Sequence, residues 1–203
     1  MLFLMKLGQY YVYCRGKRIA ERIYDKKYLK NRYFYKKDKK YLAAGWIWTM
    51  NDYKARKSRT MNAGVAFPVS PYNTVWGYEN IFFDPSDLLL FQGSGKYFQA
   101  SNGGRIYIGK GTYIANNTAI ITSNHDVHDP DLHTEGKDVV IGKKCWIAFN
   151  AVLLPGVVLG DHTTVGAGAV VTRSFPEGNC VIAGNPARLI RKIDPSADNQ
   201  SIR

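Results

Sequence analysis

An aliphatic residue returns every six positions through the C-terminal half of this chain. It stands at Ile108, Ile114 and Ile120, and again at Ile141, Ile147, Leu153, Leu159, Val165 and Val171. An α-helix would place apolar residues about 3.6 apart and a half-buried strand about 2 apart, so neither explains the spacing. A three-sided prism does, because each flat face takes one hexapeptide and the repeated aliphatic fills an inner corner. Residues of small or modest size recur two positions earlier, at Ile106, Thr112, Thr118, Val139, Cys145, Ala151, Val157, Thr163 and Ala169. Gly109, Gly142, Gly160 and Gly166, with neighbouring polar residues, are expected to make the turns between faces. Stacked coils of this kind form three parallel sheets around one apolar column, and no coil is stable alone.

The two runs of hexads are out of step, since Ile120 and Ile141 are 21 residues apart. An insertion near residues 122–139 must separate them. Its sequence, TSNHDVHDPDLHTEGKD from Thr122 to Asp138, is polar and holds three of the four histidines. Function is expected there, on a loop carried by a rigid scaffold.

Charge divides the chain in two. Residues 1–60 carry 17 Lys and Arg against 4 Asp and Glu, a balance of +13, whereas the remainder carries 11 against 12. The basic region is rich in Tyr and has no Pro before Pro68. Ile19 with Ile23, and Tyr24 with Tyr28, have the spacing of one helical face, so a short amphipathic helix is expected. From Asn62 to Asp87 the chain reads as loop and extended structure, with a domain boundary near residue 75. The expected organisation is a basic, partly helical region over 1–75, a β-helix with a closing segment over 76–193, and a polar tail over 194–203. Cys14, Cys145 and Cys180 are too few and too scattered for a disulfide framework or a zinc site. No stretch of about 20 apolar residues exists and the N-terminus lacks the pattern of a secretory signal, so a cytoplasmic protein is expected.

TSNHD, followed by VVIGKKCWIAFNAVLLPGVVLGDHTTVGAGAVVTRSFPEGNCVIAGNPARLIRKI, resembles the galactoside, maltose and polysaccharide O-acetyltransferases of the hexapeptide-repeat family over about residues 88–193. The resemblance implies a mainly β fold, a left-handed parallel β-helix, although parallel crossovers are ordinarily right-handed. It also implies acetyl-CoA as cosubstrate, no required metal, a sugar or polysaccharide acceptor, and a homotrimer with active sites between subunits. His125 matches the family histidine that removes the acceptor's proton. Imidazole, which ordinarily titrates near neutrality, suits that task, because an alcohol at neutral pH attacks a thioester only with a positioned base. A donor for the developing oxyanion is expected from backbone amides near Trp146 to Phe149.

Asn124 and Asp126 flank the base and are candidates to orient its ring or hold an acceptor hydroxyl; either also suits a loop cap. His128 is a further candidate for acceptor contact, and His133 reads as an ordinary loop residue. Trp146, Ala148, Ala167 and Thr172 match positions that line the pantetheine arm in the family. Phe149 departs from the small residue common there and is expected to reshape the acceptor pocket. Arg173, Arg188, Arg191 and Lys192 form a late basic group suited to CoA phosphates. Gln99, Ser101 and Asn102 are weaker candidates for sugar contact.

Other classes stay open. An amine acceptor on the same fold would also require proton removal. Lysines interleaved with aromatics suit nucleic acid, but the neutral β-helix argues against that partner. A noncatalytic scaffold would not need His125. Residues 1–60 also suit peripheral contact with anionic membrane at its inner face.

Overall fold

A computed structural model describes residues 2–35, 43–59 and 62–194. Beyond Asp194 the expected polar tail lies outside the described residues, as does part of the basic region. The hexads form a left-handed parallel β-helix of three sheets. The first sheet stacks Thr74–Trp76, Tyr97–Gln99, Ala119–Ile121, Val152–Leu153 and Val170–Val171. The second stacks Ile81–Phe83, Ile106–Ile108, Val139–Ile141 and Val158–Leu159. The third stacks Tyr113–Ile114, Trp146–Ile147, Thr163–Val165 and Cys180–Ala183, and Arg188–Lys192 closes it antiparallel.

Each six-residue step therefore moves the chain one face onward, and the recurring aliphatics become inner ladders. Ile108 aligns with Ile141 and Leu159, Ile114 with Ile147 and Val165, and Ile120 with Leu153 and Val171. All nine are buried, as are the residues two positions before them. Ile108 pairs directly with Ile141 across the insertion, so residues 122–138 bulge out and leave the column's register intact.

The turns obey a finer rule than the recurring glycines suggested. Left-handed backbone also recurs every six residues, at Gly111, Asn117, Lys144, Asn150, Gly156, His162 and Gly168. Gly109, Gly142 and Gly160 serve a different purpose, close approach between coils. A Cβ there would lie 2.4, 2.5 and 2.2 Å from backbone atoms of the next coil. Only hydrogen fits that space.

Two strands lie inside the stretch read as loop and extended structure, so the ladders reach back to Thr74. These early coils lack the hexad because their corners are longer. Aromatics fill the wider space: Phe91 sits 4.5 Å from Phe67, 4.8 Å from Phe83 and 4.9 Å from Phe98, ring centre to ring centre.

Ahead of the column, helix α1 (Leu2–Ile23) packs on helix α2 (Ala44–Arg59). The buried face of α1 centres on Gly16 and Ala20, with the expected Ile19 and Ile23 beside them, both half-buried and Ile23 packed against the core; small residues let Trp46 approach, and a Cβ on Gly16 would come within 3.0 Å of its carbonyl. Tyr24 and Tyr28 are buried, but both lie beyond the helix end, where Asp25 caps a short 3-10 turn. Tyr24 donates to Asp52, and Arg56 grips the same carboxylate through Nε at 2.9 Å and Nη2 at 2.8 Å. Arg56 also donates to the Phe67 carbonyl at 3.2 Å, tying the helices to the base of the column. Burial, then Asp52, pushes the Tyr24 phenol well above its ordinary range. Arg15, Arg18 and Arg22 remain on the exposed face of α1. No helix among the described residues is long and apolar enough to cross a membrane, and all three cysteines are free.

Candidate active site

The inserted loop leaves the column between the first and second sheets. Its base is stitched to the preceding coil: Gly136 N–H donates to Asn102 O at 2.7 Å, and Ser123 Oγ meets Ser101 Oγ and Asn102 Nδ2, each at 3.0 Å. Ser101 and Asn102 thus support the loop. Gln99, in register with Ile121, has a buried Oε1 with no hydrogen-bond partner among the described residues.

Two backbone pairings fold the loop on itself. Thr134 N–H donates to Asn124 O at 2.8 Å, and Asp126 N–H to Leu132 O at 2.9 Å. They bring the His125 and His133 rings to 4.2 Å between centres, a contact that the spacing of eight residues does not announce. His125 Nδ1 lies 2.6 Å from the Pro130 carbonyl oxygen. A carbonyl can only accept, so Nδ1 carries the proton, and in the neutral ring the Nε2 lone pair is left for another partner. His125 is itself exposed.

The fixing group is therefore a backbone carbonyl. The Asp126 carboxylate instead accepts from the backbone N–H groups of His128 and Asp129, at 2.8 and 3.2 Å, and shapes the turn. Asn124 makes its observed bonds with Thr134 through its backbone. His128 is exposed, and no group of three or more His, Cys, Asp or Glu side chains converges as a metal site would require among the described residues.

The residues matched to the pantetheine site fall on two edges of the first sheet. Ala148, Phe149 and Ala167 line the edge shared with the third sheet. They stack coil on coil there: Asn150 N–H donates to Asn116 O, Gly168 N–H to Phe149 O, and Val170 N–H to Gly184 O. Arg188 follows at the top of that edge, and Trp146 projects from the adjoining third sheet, 55% exposed. Thr172 and Arg173 lie instead on the opposite edge, the one from which the His125 loop departs. Arg173 stacks over the Phe175 ring at 5.3 Å, while Arg191 and Lys192 lie on the exposed closing strand. The late basic residues are thus spread over the top of the column.

The edge through Phe149 and Ala167 suits an extended ligand carrying amide groups. Nothing lies within 4 Å of a Cβ built on Gly168, so the surface is open. Ala148 N–H is occupied by Val165 O at 3.0 Å, but the N–H groups of Phe149 and Ala167 donate to nothing among the described residues.

Comparison with known proteins agrees with this architecture. Residues 138–173 match the family model described as bacterial transferase hexapeptide (six repeats). The chain is similar to the galactoside O-acetyltransferase of Escherichia coli, 38% identical over 93 residues that cover 44% of this chain and 45% of that protein. It is also similar to the galactoside O-acetyltransferase of Lactococcus lactis, 36% identical over 95 residues, 45% of each. The chain thus spans about half the length of the curated relatives it matches. Among solved structures, a hexapeptide-repeat acetyltransferase of Vibrio cholerae in complex with acetyl coenzyme A aligns at 24% identity, covering 61% of each chain with a TM-score of 0.46.

Proposed function

We propose, from a β-helical segment that belongs to the hexapeptide-repeat transferases, that this protein transfers an acetyl group from acetyl-CoA to a hydroxyl of a sugar or polysaccharide. The single observation that carries the reading is the orientation of His125. A backbone carbonyl holds Nδ1 and leaves the Nε2 lone pair without a hydrogen-bond partner among the described residues, on an exposed loop. A general base is required to have that free nitrogen, and its second nitrogen fixed. Acetyl-CoA supplies the activated acetyl group. Ala148, Phe149, Ala167 and Arg188 would hold it along one edge of the column, with the Phe149 and Ala167 amides available to its own amide groups. His125 takes the hydroxyl proton on Nε2 as the oxygen attacks the thioester carbonyl, and passes it to the departing CoA thiolate.

The base and the ligand edge stand on opposite sides of one sheet, which supports assembly between copies. A partner subunit's edge set against the His125 loop would bring the two halves together. The outer surface of that sheet carries Ile121, Val152 and Val170, all partly exposed, an apolar surface that a neighbour could cover. A homotrimer satisfies both requirements.

The test is a thiol-release assay with acetyl-CoA against a panel of sugars, glycans and amino sugars. His125→Ala is expected to lower kcat by roughly 10²- to 10⁴-fold with the fold intact. Turnover at the wild-type rate would remove His125 as base, and turnover confined to amino sugars would move the acceptor from hydroxyl to amine.

A further inference from the structure

A cavity of about 230 Å³ lies at the foot of the Phe149 edge, one coil below it, where three distant stretches meet. Arg32 and Tyr33 come from the helical region, Leu90 and Lys96 from the early coils, and Tyr113 and Asn116 from the first regular coil. Lys96 is 4% exposed. Its Nζ donates to Leu90 O at 3.0 Å and to Leu89 O at 3.5 Å, and it makes no ion pair with any carboxylate among the described residues.

Buried charges are ordinarily paired, because an ammonium taken out of water without a counter-ion is strongly penalised. Burial lowers the Lys96 pKa to about 8, which leaves it mainly cationic at neutral pH. Asp87 is the one carboxylate lining the cavity among the described residues, and it accepts the Gly111 N–H at 2.7 Å. Arg32, at the exposed mouth, adds a second cation that donates to Tyr33 Oη at 3.1 Å. Positive charge is in excess, Tyr33 and Tyr113 offer aromatic surface, and Asn116 offers an amide.

We propose that this cavity binds an acidic sugar residue, a monosaccharide-sized group bearing one carboxylate or phosphate, with Lys96 as its counter-ion and Arg32 closing on it at the mouth. Identifying that residue as part of the acceptor rests on the transferase reading above; the binding itself does not. The cavity's position on the ligand edge would place an acidic acceptor beside the acetyl donor.

Calorimetric titration of the full chain with glucuronate, glucose 1-phosphate and neutral glucose tests the proposal. Saturable binding of either acid, without binding of glucose, is expected, and the acid that binds identifies carboxylate or phosphate. Lys96→Met keeps the buried stem and is expected to weaken that binding roughly 10- to 100-fold. Arg32→Gln, at an exposed position, provides a second reading if Lys96→Met fails to fold, with a smaller loss expected. Absence of saturable binding by both acids, equal binding of glucose, or wild-type affinity in every folded variant would overturn the assignment. His125→Ala is expected to bind the acid as tightly as the wild type. Lost turnover with retained binding supports both readings, whereas unchanged turnover with retained binding removes the base and leaves the cavity.

Discussion

The column and the helical region ahead of it are stabilised in opposite ways. In the column the coils from Ile106 onward repeat the same solution, an aliphatic ladder inside and a left-handed residue at the turn, so many modest contacts share the load. In the helical region a few singular contacts matter: Trp46 against Gly16, and Tyr24 and Arg56 on the carboxylate of Asp52. Redundancy makes the column tolerant and easy to read. Its absence makes the helices dependent on single residues.

The sharpest way to break this contrast is Asp52→Ala. It leaves a buried guanidinium and phenol without their common partner, and should cost about 3–5 kcal/mol. Helix signal by circular dichroism should melt before the β signal; one coincident transition at the wild-type midpoint would refute the dependence. Leu153→Ala, in the middle of an inner ladder, should cost about 2–5 kcal/mol. Here the β signal should carry the loss in urea unfolding.

At the junction of the two regions, Lys96 links stability to pH. Its folded pKa of about 8 lies below the ordinary 10.5, so between those values the unfolded chain holds the proton more tightly. The cost of the buried ammonium is present in full below pH 8 and is relieved as pH rises toward 10.5, a gain of about 3 kcal/mol. Urea midpoints across this range should rise in the wild type relative to Lys96→Met; parallel curves would contradict the buried charge. The smallest effect concerns a single turn. Lys144 adopts φ 51°, a conformation that glycine enters without strain. Lys144→Gly should raise the melting temperature by about 1–2 °C, because relief of strain slightly exceeds the added entropy of the unfolded chain.

Much of the column was legible because its information is local and repeated. Nine aliphatics in two registers predicted the prism, the inner ladders and the interruption that holds His125. The earliest coils were not legible, since longer corners filled by Phe67, Phe83, Phe91 and Phe98 keep no period. The glycines do open the turns, as Gly109 O accepting from Thr112 N–H shows, but a one-letter sequence does not distinguish a residue needing left-handed backbone from one pressed against the next coil, as Gly142 is. At the candidate site, the histidine was identifiable from its motif, but its anchor was not. Pro130 contributes a backbone oxygen, a group that every residue possesses.

What the sequence determined by itself was the architecture, because a six-residue period admits few ways to bury its apolar residues. Only the tertiary structure decided which groups share a surface. It set the Phe149 edge and the His125 loop on opposite sides of one sheet, and it enclosed Lys96 beneath Arg32 and Tyr113. Those juxtapositions join residues far apart in the chain with no repeat between them. They follow from the winding of the backbone, which places side chains in space only after every coil has been laid on the one before.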